Sequence, residues 1–71
     1  MEQMEREFVS SSNIVSIGYD ESTETLEIEF KNGIYQYYNV PSVIYQQMME
    51  ASSKGQFLHQ NIKNNYPYSR V

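Results

Sequence analysis

Apolar and polar residues alternate along much of the first half of the chain. From Ile14 to Tyr19, Val15, Ile17 and Tyr19 fall on one side and Ser16 and Gly18 on the other. A period of two marks a strand with one buried face. The pattern is cleaner over Thr25–Lys31, where Leu26, Ile28 and Phe30 oppose Glu27, Glu29 and Lys31. Between the two runs, Asp20–Glu24 is a polar loop of turn-forming residues. Asn32-Gly33 follows the second run directly, and Asn-Gly between alternating segments is the strongest short-range hairpin signal. A two-residue turn there pairs Phe30 with Tyr35 and Ile28 with Tyr37. Tyr35 and Tyr37 then join Leu26, Ile28 and Phe30 on the core face. Ile34, Gln36 and Tyr38 share the outer face with Glu27 and Glu29. A slip of one residue would reverse the facing of every tyrosine.

The alternation stops at Val40-Pro41-Ser42. Proline suits the first position of a helix, because the amide hydrogen it lacks would be unpaired there anyway. Ile44, Met48 and Ala51 recur at helical spacing, with no Gly or Pro between Ser42 and Ala51. Ser52-Ser53 interrupts this helix. Ser53-Lys54-Gly55-Gln56 fits a capping box that opens a second helix, running to about Asn64 with Phe57, Leu58 and Ile62 as its apolar stripe. Tyr66-Pro67-Tyr68 is extended, since proline disfavours the helical region for the residue before it. At the other end, residues 1–7 read as a flexible terminus, Phe8-Val9 as the start of an extended arm, and Ser10–Asn13 as a turn cluster. The expected class is α+β: a three-stranded antiparallel meander sheet followed by two helices packed on one face, forming a single domain over residues 8–71. The other sheet face, with Ile34 and Tyr38 among carboxylates, is left open.

Composition narrows the ways this fold is stabilised. A chain of 71 residues makes one domain, and at that size only about 60% of the unfolded surface is buried. The chain has no cysteine, which excludes disulfides and thiolate metal sites. His59 with carboxylates supplies too few ligands for structural zinc, and neither a metal nor a cofactor is expected. Seven Tyr and three Phe suit half-buried faces and interfaces, because a buried phenol hydroxyl needs a partner. No stretch approaches the ~20 apolar residues of a membrane span. The start lacks the basic-then-apolar pattern of a secretory signal, so a cytoplasmic protein is expected. Charge is unevenly placed: residues 1–50 hold all nine carboxylates against Arg6 and Lys31, while residues 51–71 hold Lys54, Lys63 and Arg70 and no acid. A net charge of −4 argues against nucleic-acid binding over the whole surface, yet allows one basic face.

Several stretches, in this order along the chain, resemble the KTSC domain family. They are Val9-Ser10-Ser11-Ser12-Asn13-Ile14, Ile17-Gly18-Tyr19-Asp20 and Leu26-Glu27-Ile28-Glu29-Phe30-Lys31-Asn32-Gly33. Tyr35-Gln36-Tyr37 with Val40-Pro41, then Ser53-Lys54-Gly55, Asn61-Ile62-Lys63 and Tyr66-Pro67-Tyr68 complete the set. The resemblance runs from about Phe8 to Arg70. The family is a short module found at the C-terminus of some lysyl-tRNA synthetases and as small stand-alone bacterial or phage-type proteins. It implies a stand-alone member, with RNA binding as the expectation drawn from the synthetase context.

The residues themselves point to binding rather than catalysis. No Ser-His-acid or Cys-His order, glycine-rich phosphate loop or metal-ligand spacing is present. His59 and Lys63 lie four apart on the second helix and share a face. With Lys54 at the helix start and Tyr68 and Arg70 folding back, they are the candidates for a nucleic-acid or nucleotide contact. The alternative for the same residues is an ordinary solvated face. Tyr35 and Tyr37 are read as core, although aromatics on a sheet can also stack bases. A second hypothesis is an acidic protein-interaction or inhibitor module of phage type, acting on a nucleic-acid-handling or host-defence protein. Its candidate interface comprises Glu27, Glu29, Ile34, Tyr38, Tyr45 and Met49, and a homodimer is the expected assembly. A third is an oligomer that holds a small phosphorylated molecule between subunits.

Overall fold

The alternating runs become the strands that their period predicts. The computed structural model describes residues 6–11 and 13–71. It contains β1 (Arg6–Phe8), β2 (Ile14–Asp20), β3 (Thr25–Phe30) and β4 (Gly33–Tyr37), then α1 (Ser42–Glu50), α2 (Lys54–Phe57) and β5 (Tyr68–Arg70). The strands form one antiparallel sheet in the order β1-β2-β3-β4-β5. The α+β class and the two-helix layer are as expected, but the sheet has five strands rather than three. Both additional strands are three-residue edges, too short for alternation to reveal, and they join through backbone pairing. β5 comes after the helices, so the chain returns to the sheet instead of ending in the helical layer. Of the terminus read as flexible, Met1–Glu5 lie outside the described residues, whereas Arg6 and Glu7 belong to β1. Ser12 of the expected turn cluster also lies outside them.

The hairpin register differs from the expected one in an instructive way. Phe30 pairs with Gly33, Ile28 with Tyr35 and Leu26 with Tyr37. Lys31 and Asn32 are therefore the two turn residues, and Gly33 is the first residue of β4. Neither Lys31 nor Asn32 has a positive φ, so the turn is not type I′; the unusual backbone falls on Gly33, at φ +151°. The pairing is offset by two residues, an even number, so each tyrosine keeps the face assigned to it. Tyr37 is buried and Tyr35 half-buried on the helix side, while Gln36 pairs with Glu27 on the outer face.

β2 carries a bulge, with Ile14 opposite Phe30 but Ser16 opposite Glu29. The extra residue is Val15. Ile14 consequently enters the core and Val15 is left half-buried. The core joins Ile14, Ile17, Leu26, Ile28, Tyr37 and Val40 from the sheet side to Met48, Leu58 and Ile62 from the helices. Each such side chain contributes about 1.5–3 kcal/mol by leaving water.

Pro41 sits just outside α1, not in its first turn: φ −64° and ψ 151° are extended, and its carbonyl accepts from the amides of Ile44 at 3.0 Å and Tyr45 at 3.3 Å. Ser53 Oγ accepts from the Gln56 amide at 3.3 Å, which forms one half of the expected capping box. α2 runs directly into a π-helical turn, Leu58–Ile62, closed by the Lys63 amide donating to the Leu58 carbonyl at 2.8 Å. Such wide turns occur often at functional sites.

Candidate functional site

β5 creates the site. Its register sets Tyr68 beside Tyr37 and Arg70 beside Tyr35, so both side chains lie on the helix side of the sheet. The Tyr68 ring is 5.5 Å from Tyr37 and 6.0 Å from Tyr35, centroid to centroid. Tyr35 in turn meets Phe30 edge-on at 5.4 Å. Opposite these rings, the π-helical turn buries Leu58 and Ile62 and aims the adjacent His59 and the following Lys63 at the sheet margin. Between the two layers lies a cleft of about 420 Å³. Phe30, Tyr35, Tyr37 and Tyr68 line the sheet side, and Leu58, His59 and Lys63 line the helix side. Asn13, Ile14, Asn32 and Gly55 complete the wall, and no carboxylate among the described residues lines it.

Arg70 guards the rim. Its guanidinium lies 5.9 Å from the Tyr35 ring centroid, and Nη2 donates to the Asn32 carbonyl at 2.6 Å. It crosses directly over Gly33, where an added Cβ would come within 2.8 Å of Arg70 Nε. The absence of a side chain at position 33 therefore makes room for this arginine.

Tyr37 has two roles. It is 4% exposed and part of the core, yet it also lines the cleft. Its hydroxyl has no hydrogen-bond partner among the described residues, and no buried side-chain polar atom among them is left unpaired, so the hydroxyl opens onto the cleft. Burial, with Tyr68 and Tyr35 nearby, pushes its phenol above the ordinary value of 10.0. It therefore stays protonated, and able to donate, at neutral pH.

Of the five residues expected to contact a nucleic acid, His59, Lys63 and Tyr68 line the cleft and Arg70 stands at its rim. Lys54 is not among the lining residues; its Nζ donates to the Ala51 carbonyl at 3.3 Å. Phe30, Asn13 and Asn32 read from the sequence as core and turn residues and not as site residues, because the β4–β5 pairing that assembles the cleft leaves no local signal.

The second candidate set is not one surface. Glu27, Glu29, Ile34 and Tyr38 are on the outer face, whereas Tyr45 and Met49 pack against the core from the helix side. Tyr45 stacks on Tyr19 at 4.7 Å, with the rings 8° from parallel. The expected row of solvated carboxylates is largely neutralised. Glu27 is 6% exposed, ion-paired with Arg6, and accepts from Gln36 Nε2 at 2.9 Å. Glu29 accepts from Ser16 Oγ at 2.8 Å and stands 3.9 Å from Arg6 Nη2. Arg6 Nε also donates to Ser16 Oγ at 3.0 Å, and Tyr38 donates to Gln36 Oε1 at 3.2 Å. Arg6 is the residue that sequence reasoning missed, since it belongs to a terminus read as flexible. Among the described residues, no cluster of His, Cys, Asp or Glu could hold a metal ion, and no helix is long and apolar enough to cross a membrane.

A five-stranded antiparallel meander, backed by two short helices and open in an aromatic cleft, defines a small α+β module. Comparison with known proteins makes the assignment specific. Residues 10–66 match the KTSC domain model, and the chain belongs to that family. The crystal structure of a KTSC domain protein from Yersinia pestis superposes with a TM-score of 0.93 at 44% identity, covering 97% of this chain and 99% of that one. A protein of Stutzerimonas stutzeri is 39% identical over 70 residues, 96% of this chain and 99% of its own length. A lysine–tRNA ligase of Nostoc sp. is 38% identical over 61 residues, 84% of this chain. The matching segment is only 11% of that ligase's length.

Proposed function

We propose that this protein binds single-stranded RNA, with the cleft between the β4–β5 side of the sheet and the second helix as its contact surface. The observation that carries this reading is the lining: four aromatic rings face Lys63 and His59, Arg70 stands at the rim, and no carboxylate among the described residues intrudes. Unpaired bases stack on such rings, and cations hold the phosphates beside them. Among the described residues the acids lie elsewhere, with Glu27 and Glu29 tied to Arg6 on the opposite sheet face. The same module within lysine–tRNA ligases, whose name specifies an RNA partner, supports this choice.

With Lys63 and Arg70 each neutralising one phosphate, log K against log salt should fall with a slope of about −1.4 for a single strand. Fluorescence anisotropy with a single-stranded RNA oligonucleotide, across a salt series, measures it. Lys63→Glu combined with Arg70→Glu should abolish binding while the circular dichroism spectrum is kept. Binding that ignores salt, or that survives in the folded double variant, would dispose of the reading.

A further inference from the structure

The cleft has the dimensions and fittings of a pocket rather than a track. At about 420 Å³ it sits near the small end of the roughly 300–1,000 Å³ typical of small-molecule pockets. Grooves that follow a strand engage about 4–16 nucleotides on repeated aromatic platforms. Here one ring offers an open face. Tyr68 is 56% exposed, whereas Tyr37 beneath it is sealed and Tyr35 is flanked by Phe30 on one side and the Arg70 guanidinium on another. At the floor, the Tyr37 residue is more than nine-tenths buried, while its hydroxyl, without a partner among the described residues, stays open to the cleft. A hydroxyl presented to the cleft can donate to a polar group that enters it. The amides of Asn13 and Asn32 add donors and acceptors at the wall.

We propose that the cleft holds one nucleoside phosphate unit, its base on Tyr68, its polar edge hydrogen-bonded by the Tyr37 hydroxyl, and its phosphate toward Lys63 and Arg70. This rests on the RNA-binding reading and narrows it to a single nucleotide, whether free or at the unpaired end of a strand. A base is planar, apolar on its faces and polar at its edge, which matches the exposed ring above the cleft-facing hydroxyl. A bare phosphate would leave the rings unused.

The test is an NMR titration of the ¹⁵N-labelled protein with inorganic phosphate, the four nucleoside 5′-monophosphates, and RNA strands of two, four and eight nucleotides. The expected result is saturable binding of at least one mononucleotide, none of phosphate at the same concentrations, and affinity that levels off by the dinucleotide. Tyr37→Phe keeps the ring and should weaken the mononucleotide by roughly 2- to 12-fold, the value of one hydrogen bond. Tyr68→Ala should weaken it further, by roughly 5-fold or more. Affinity that keeps climbing to eight nucleotides, with no mononucleotide binding, would overturn the one-unit pocket and leave RNA binding standing. Unchanged affinity in Tyr37→Phe would overturn the role of the hydroxyl. Failure of every strand and every nucleotide would remove the RNA-binding reading itself.

Discussion

Replacing Gly33 with alanine tests how the rim of the cleft is built. Two costs arise at that position. The backbone there has φ +151°, which side chains rarely adopt, and holding alanine in it costs about 1–3 kcal/mol. The new methyl would also lie 2.8 Å from Arg70 Nε and 2.9 Å from Nη2, so the guanidinium must leave. Its departure ends the bond to the Asn32 carbonyl and the contact over Tyr35. Both are exposed and worth about 1 kcal/mol together once solvent screening is allowed for. The sum is about 2–4 kcal/mol, a large share for a chain held by roughly 0.05–0.15 kcal/mol per residue. Urea unfolding followed by circular dichroism should show the midpoint falling by about 1–3 M with an unchanged slope. In an Arg70→Ala background, only the backbone cost remains, so the two changes should fall short of additivity by about 1 kcal/mol. Full additivity, or a Gly33→Ala protein as stable as the parent, would refute the claim that this glycine makes way for Arg70.

Other outcomes follow from the packing and the outer face. Met48→Ala empties a fully buried site where α1 meets the sheet, and should cost about 2–5 kcal/mol, read from a thermal melt; a loss below 1 kcal/mol would contradict its place in the core. Arg6→Ala leaves Glu27 buried without its ion pair and should cost about 1–3 kcal/mol, whereas a neutral result would show that β1 contributes little. Hydrogen bonds from Ser22 hold the Asp20 carboxylate below its ordinary value of 3.8. The stability it adds is therefore present above pH 3.8 and lost as pH falls through the lower folded value. Ser22→Ala should flatten that acid-side loss in a pH-dependent unfolding series, and an unaltered pH profile would contradict it.

The parts of this fold legible in the sequence were those written in local periodicity. Leu26, Ile28 and Phe30 identify β3 because each second residue meets the core. The faces of Tyr35 and Tyr37 follow from the hairpin even though the turn lies one position earlier than Asn32-Gly33 suggests. The bulge that places Ile14 in the core in place of Val15 is invisible, because an inserted residue breaks no composition rule. The edge strands are equally silent: three residues cannot show a period, and their pairing is made by backbone. That silence hides the site. His59, Lys63, Tyr68 and Arg70 stand out by residue type, but only the β4–β5 register sets Tyr68 against Tyr37 and Arg70 against Tyr35. Glu27 and Glu29 look like a solvated acidic row until Arg6, from the N-terminal edge, is found beside them.

Chemical-shift mapping decides which face of the sheet receives RNA. On titration with a single-stranded RNA, the amide signals of Gly55, His59, Lys63, Tyr68 and Arg70 should move together, with Glu27, Glu29 and Ile34 unaffected. Shifts confined to Glu27, Glu29 and Ile34 on the outer face, with the cleft residues unmoved, would contradict it.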